Sequence, residues 1–143
     1  MISEIFTSNS SQTKKVGRLL AQEILKTGPA GQAIIIGLVG DLGGGKTTFL
    51  QGFAQELGVK DRILSPTFII MRRTGNFYHL DCYRIKNPKE ISALGFKKLL
   101  ADPKNIIAVE WADRIQGLLP KNAIIVRFKI TGKNTRKISI TAP

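Results

Sequence analysis

A chain of 143 residues, 43% of them apolar, is long enough to bury a core, and its single cysteine, Cys82, excludes an intrachain disulfide. Lys and Arg total 22 against 10 Asp and Glu, a formal charge of +12 that favours polyanionic partners such as nucleotides, nucleic acid, acidic proteins or anionic lipid. The start of the chain lacks the apolar core of a secretory leader, and the longest apolar stretch, Ala33 to Val39, is far too short to span a bilayer. The expectation is a cytoplasmic protein in a reducing compartment, with no membrane partner.

The polar run from Thr7 to Thr13 offers helix caps, and Val16, Leu19, Leu20 and Ile24 recur at helical spacing. Together they predict an amphipathic helix over residues 12–26, stopped by Gly28-Pro29. "AIIIGLV" is continuous and β-branched, the pattern of a central strand covered on both faces. A glycine loop follows, then a helix over 46–57 with Gly58 placed to end it. "SPTFIIMRR" and "NFYHLDCYRI" read as strands joined by a hairpin at Thr74-Gly75-Asn76. Pro88 opens one or two helices across 87–102. "NIIAVEW" is a second buried-type strand, and "AIIVRFKI" and "RKISITA" form a last hairpin around "TGKNT". The class is α/β: a single domain with a mixed sheet flanked by helices and a C-terminal β-hairpin.

"GDLGGGKTT" satisfies G-x-x-x-x-G-K-[ST] at Gly40, Gly45, Lys46 and Thr47. Glycines let backbone N–H groups approach phosphate, and the helix that follows presents its positive end. Lys46 is expected to reach the β- and γ-phosphates and Thr47 to ligate Mg²⁺. The expected nucleotide cradle is the whole loop: Gly40, Asp41, Leu42, Gly43, Gly44, Gly45, Lys46, Thr47 and Thr48. Asp41 is an anomaly, an acid inside a phosphate loop. Because the backbone does the binding, its carboxylate is expected to point outward or toward a cation.

A P-loop enzyme needs a further acid for the metal or the attacking water, usually at a neighbouring strand end. Glu110 after "IIAV" and Asp81 after "FYHL" both qualify. Strand alternation puts Phe77, His79 and Asp81 on one face, and Tyr78, Leu80 and Cys82 on the other. The segment Leu64–Phe68 is stiffened by Pro66, and Thr67 there is a candidate to meet the metal or γ-phosphate. His79 reads as a packed, hydrogen-bonded strand residue and Cys82 as a small buried hydrophobe; zinc is disfavoured. Trp111 is either a core anchor or an exposed partner contact.

"GDLGGGKTT", "SPTF", "YHLDCYRI" and "VEWADR", in this order and spacing, resemble the TsaE family over nearly the whole chain. The resemblance implies a bacterial P-loop ATPase that binds ATP or ADP with Mg²⁺. It would work with the partner proteins TsaB and TsaD to make threonylcarbamoyladenosine at position 37 of tRNA, meeting tRNA through that complex. It assigns Lys46 and Thr47 to phosphate and metal, and Ser65, Pro66 and Thr67 to a switch-like loop. Asp81 and Glu110 match the two acids, Trp111 the adjacent tryptophan, and Ser10, Thr13 and Arg136 lie near the nucleotide. Gly44 departs from the family's usual alanine, which loosens the loop in the unfolded chain. The alternative reading is a small-molecule P-loop kinase, but no lid insertion is evident around Arg62, Arg72, Arg73 and Arg84. A purely RNA-binding module is the third reading, though no RRM, KH or zinc-knuckle pattern is present.

Overall fold

The computed structural model describes residues 2–28, 31–41, 43–60 and 70–143. Pro29, Leu42, Arg62 and the Leu64–Phe68 segment, with Ser65, Pro66 and Thr67, lie outside the described residues.

The chain opens with β1 (Ile2–Thr7), α1 (Ser10–Thr27), β2 (Ile34–Gly40) and α2 (Lys46–Glu56). A hairpin of β3 (Met71–Thr74) and β4 (Phe77–Asp81) precedes two short helices, α3 (Lys89–Ser92) and α4 (Phe96–Ala101). Then come β5 (Ile106–Glu110), a 3-10 segment (Ala112–Leu118), and the last hairpin, β6 (Ile124–Ile130) with β7 (Arg136–Thr141). The strands form one seven-stranded sheet in the order β1-β7-β6-β2-β5-β4-β3. β2 is central and parallel to both β5 and β6, β4 is parallel to β5, and the two hairpins and β1 pair antiparallel. The mixed α/β architecture read from the sequence is therefore the observed one.

One strand escaped that reading. Residues 2–7, noted only as lacking a secretory pattern and, before Thr7, given no element, form β1 against β7. Three of its alternate side chains, Ile2, Glu4 and Phe6, are exposed, so no buried run marks it.

Two cores sandwich the sheet. Ile36 and Leu38 of β2, Val126 and Phe128 of β6 and Ile138 of β7 meet Val16, Phe49 and Phe53 from α1 and α2 on one face. Ile35, Leu80, Ile107 and Val109 meet Ile91, Phe96 and Ile115 on the other. The continuous apolar run of β2 is thus explained: it is buried from both sides. Phe49 lies edge-on to Phe128, ring centroids 5.4 Å apart, which anchors α2 beneath the glycine loop. α1 and α2 cross closely: a Cβ on Gly17 would collide with the Phe49 carbonyl, and one on Gly52 with the Lys14 carbonyl. Cys82 is fully buried, and burial, aided by Asp81 against the pull of Arg114, pushes its thiol pKa up to about 12. Among the described residues no helix is long and apolar enough to cross a membrane.

Candidate nucleotide site

β2 ends at Gly40, whose φ of 149° and closeness to Phe128, 2.6 Å from its carbonyl to a built Cβ, admit only glycine. The chain then turns through Gly43 to Gly45, the left-handed residue before α2. Sheet parallelism does the rest: β2, β5 and β4 end at the same edge, with Leu38 opposite Glu110 and Glu110 opposite Asp81. Glycine loop and Glu110 therefore meet, with Asp81 one strand further out, because three parallel strands stop together, the usual place for a ligand in an open α/β sheet.

A cleft of about 540 Å³ occupies this edge. Its lining includes Gly43, Gly44, Gly45, Lys46, Thr47 and Thr48, with Glu110 and Trp111 on one side. Ser10, Thr13 and Arg136 line the other side. Two helix N-termini, those of α1 and α2, face the cleft, so unpaired N–H groups make it attractive to anions. The Asp41 backbone carbonyl accepts from Lys46 Nζ (2.8 Å) and from Gly44 N (3.1 Å), while Asp41 itself is exposed. Leu42 and Thr67 lie outside the described residues.

Lys46 is only 5% exposed. Its ammonium donates to the Gly40 and Asp41 carbonyls and sits 4.2 Å from the Trp111 ring centroid. Burial lowers its pKa, an effect that nearby Glu110, Asp41, Asp113 and Asp81 oppose and do not cancel. Glu110, 1% exposed, is held at both oxygens: the Thr47 hydroxyl donates to Oε1 at 3.1 Å and His79 Nε2 donates to Oε2 at 2.7 Å. Asp81 sits one strand further out, accepting from the Tyr83 amide at 3.0 Å. Trp111, half-buried, packs at the rim of the second core, the anchor role the sequence offered, and lines the cleft as well. Its φ of 58° is a strained value for a bulky residue, a feature that clusters at functional sites.

The opposite side is built from hydroxyls and amides. Asn9 caps α1 by accepting from Gln12 N at 2.9 Å, and Thr13, 3% exposed, shares a hydrogen bond with Thr7 at 2.9 Å. Arg136 Nε donates to the Gly43 carbonyl at 3.1 Å, tying the last hairpin to the glycine loop. Sequence reasoning missed three cleft residues, Ser8, Asn9 and Asn134, and the contact between His79 and Glu110. Strand alternation had already put His79 on the Asp81 face, and the Asn9 cap was the signal for α1 opening onto the cleft.

Thr47 and Glu110 are hard oxygen donors in mutual contact, which suits Mg²⁺, a cation that takes one or two protein oxygens and fills its shell from phosphate and water.

This strand–loop–helix unit, with a carboxylate facing its first helical turn, places the protein among the P-loop folds. Residues 7–138 match the family model described as "Threonylcarbamoyl adenosine biosynthesis protein TsaE". The chain is 38% identical to the tRNA threonylcarbamoyladenosine biosynthesis protein TsaE of Rickettsia felis over 95% of its own length and 78% of the other. It is 35% identical to the Bacillus subtilis TsaE protein over 95% and 83% of the two chains. The crystal structure of Bacillus subtilis YdiB superposes with a TM-score of 0.79 at 29% identity, covering 99% of this chain and 86% of that one. The chain belongs to the TsaE family.

Proposed function

We propose that the protein is the Mg²⁺-dependent, ATP-hydrolysing subunit of the cytoplasmic machinery that forms threonylcarbamoyladenosine at position 37 of tRNA, acting with TsaB and TsaD. The observation that carries this reading is the hydrogen bond between Thr47 and Glu110, which joins the helix turn of a phosphate loop to a buried carboxylate. Gly43, Gly44 and Gly45 offer backbone N–H groups to the phosphates, and Lys46 leaves the loop carbonyls to meet the β/γ end. Thr47 and Glu110 would hold Mg²⁺, which supplies charge neutralisation on the phosphate oxygens when bound. Glu110, its second oxygen fixed by His79, orients a water toward the terminal phosphorus. A bond forms from the water oxygen to phosphorus as the bond to the β–γ bridging oxygen breaks, and the water's proton passes to phosphate or carboxylate. Asp81 supports the same edge. Ser10, Thr13 and Arg136 line the nucleoside side.

Isothermal titration with ATP and Mg²⁺, followed by phosphate release alone and with purified TsaB and TsaD, tests the reading. Lys46→Ala is expected to lose ATP binding. Wild-type protein that binds no ATP in the presence of Mg²⁺ overturns it.

A further inference from the structure

The two sheet faces are not equally covered. α1 and α2 lie against core residues reaching from β4 to β1, with Phe77 at one end and Ile5 at the other. On the opposite face, α3, α4 and the 3-10 segment pack over β4, β5 and β2, reaching Met71 of β3 on one side and Ile125 at the start of β6 on the other. Past Ile125, no described residue of that core reaches β7 or β1. Val126, Phe128, Ile138 and Ile5 point into the first core, so alternation turns Arg127, Lys129, Lys137 and Phe6 to the open side. Register then sets them in rows: Phe6 beside Lys137 beside Lys129, and Glu4 beside Ser139 beside Arg127.

The charge of this face is one-sided. Its acid, Glu4, is taken by Lys137 at 3.4 Å. Arg127 and Lys129 are exposed and make no ion pair among the described residues. Two residues apart on one strand, they stand about 6.7 Å from each other along the chain, close to the repeat of successive phosphates in an extended strand. Phe6 is 68% exposed although it is aromatic and, on the edge strand, pairs in register with Lys137. Ile2, 70% exposed, is separated from it along β1 by the Glu4–Lys137 pair, so the face lacks the contiguous apolar centre of a protein interface. A lone ring bordered by cations suits a stacked base with phosphates alongside.

We propose that the open half-sheet of β1, β7 and β6 is an RNA-binding face, with Phe6 stacking an unpaired base and Arg127 and Lys129 holding the flanking phosphates. The face adjoins the cleft: Lys137 follows Arg136, which donates to the Gly43 carbonyl, so RNA and phosphate loop share one hairpin. The proposal goes beyond ATP hydrolysis and does not depend on it.

The test is fluorescence anisotropy of an unmodified tRNA transcript titrated with the full chain without nucleotide, across a salt series. Arg127→Ser with Lys129→Ser is expected to weaken binding about tenfold at low salt and to reduce the slope of log K against log salt by about 1.4 to 1.8, two phosphates' worth. Phe6→Ser is expected to weaken binding at least about fivefold with the slope unchanged. Lys15→Ser with Lys26→Ser removes the same charge from α1, on the opposite side of the sheet, and is expected to leave the slope unchanged. Circular dichroism and thermal unfolding verify that each variant is folded. Three results would overturn the proposal: no tRNA binding by wild type, equal losses from the α1 pair, or polyglutamate binding with the same dependence on Phe6, Arg127 and Lys129, which would make this an acidic-protein surface. Loss of ATP binding or hydrolysis leaves the outcome untouched, so the two readings fail separately.

Discussion

The two sides of the cleft are built on opposite principles. On the β5 side, Glu110 is almost fully buried and fixed at both oxygens by Thr47 and His79. On the α1 and β7 side, Ser8, Ser10 and Arg136 are exposed or half-exposed, and the contacts are hydroxyls, backbone carbonyls and one guanidinium. A carboxylate that must hold one orientation belongs where its neighbours cannot move. Groups that grip and release a ligand belong where water can replace them. Under the proposed function the difference would put chemistry on the first side and affinity on the second, and each side can be tested alone.

The sharpest break comes from Glu110→Ala, expected to cut ATP hydrolysis by about a hundredfold or more while leaving ATP affinity within a few-fold, read by phosphate release beside calorimetry. A parallel loss of binding would abolish the division of labour. Next is His79→Phe, expected to lower turnover about ten- to a hundredfold through a loosened Glu110, with partial rescue by His79→Gln. Mn²⁺ binding followed by electron paramagnetic resonance should weaken in step, which a mere packing loss would not produce.

Lys46 gives the third test. Its pKa lies below the ordinary lysine value because burial penalises the charge. Phosphate favours the charged form, so ATP affinity should fall as pH rises through that lowered value, by at most tenfold per pH unit, before an ordinary lysine would titrate. By the same sign, the folded state holds fewer protons than the unfolded one between the lowered and ordinary values, so this group favours folding more as pH rises through that window. Calorimetric titrations from neutral to alkaline pH check the affinity trend.

On the other side, Arg136→Ser removes one exposed hydrogen bond to the glycine loop. About fivefold weaker ATP binding is expected with turnover at saturation unchanged, corresponding to roughly 1 kcal/mol. The smallest effect is Asn9→Ala, which deletes the α1 cap and should cost about 1 kcal/mol in urea unfolding.

How much of this was legible in the sequence depends on the range of the interactions. The glycine loop, its strand and its helix are contiguous in the chain, and their spacing alone carried Gly40, Gly45, Lys46 and Thr47. Glu110 and Asp81 could be named because an apolar strand points to its own end. That Glu110 rather than Asp81 meets Thr47 follows from the sheet order, β2-β5-β4, which no local pattern encodes. His79 joins Glu110 across neighbouring strands, 31 residues away, so the sequence supplied its face and not its partner. β1 was missed for the same reason: an edge strand with exposed alternate residues becomes a strand only through pairing with β7 at the far end of the chain. Asn134 lies in the turn between β6 and β7, where sequence gives a turn and no hint of what it overhangs.

Trp111 is the chain's one tryptophan, and the Lys46 ammonium lies 4.2 Å from its ring centre. Indole emission responds strongly to a charge at that range. The protein therefore carries a built-in optical gauge of where its phosphate-loop lysine stands, and a ligand that draws the ammonium away is reported by the native protein's own light, with no label attached.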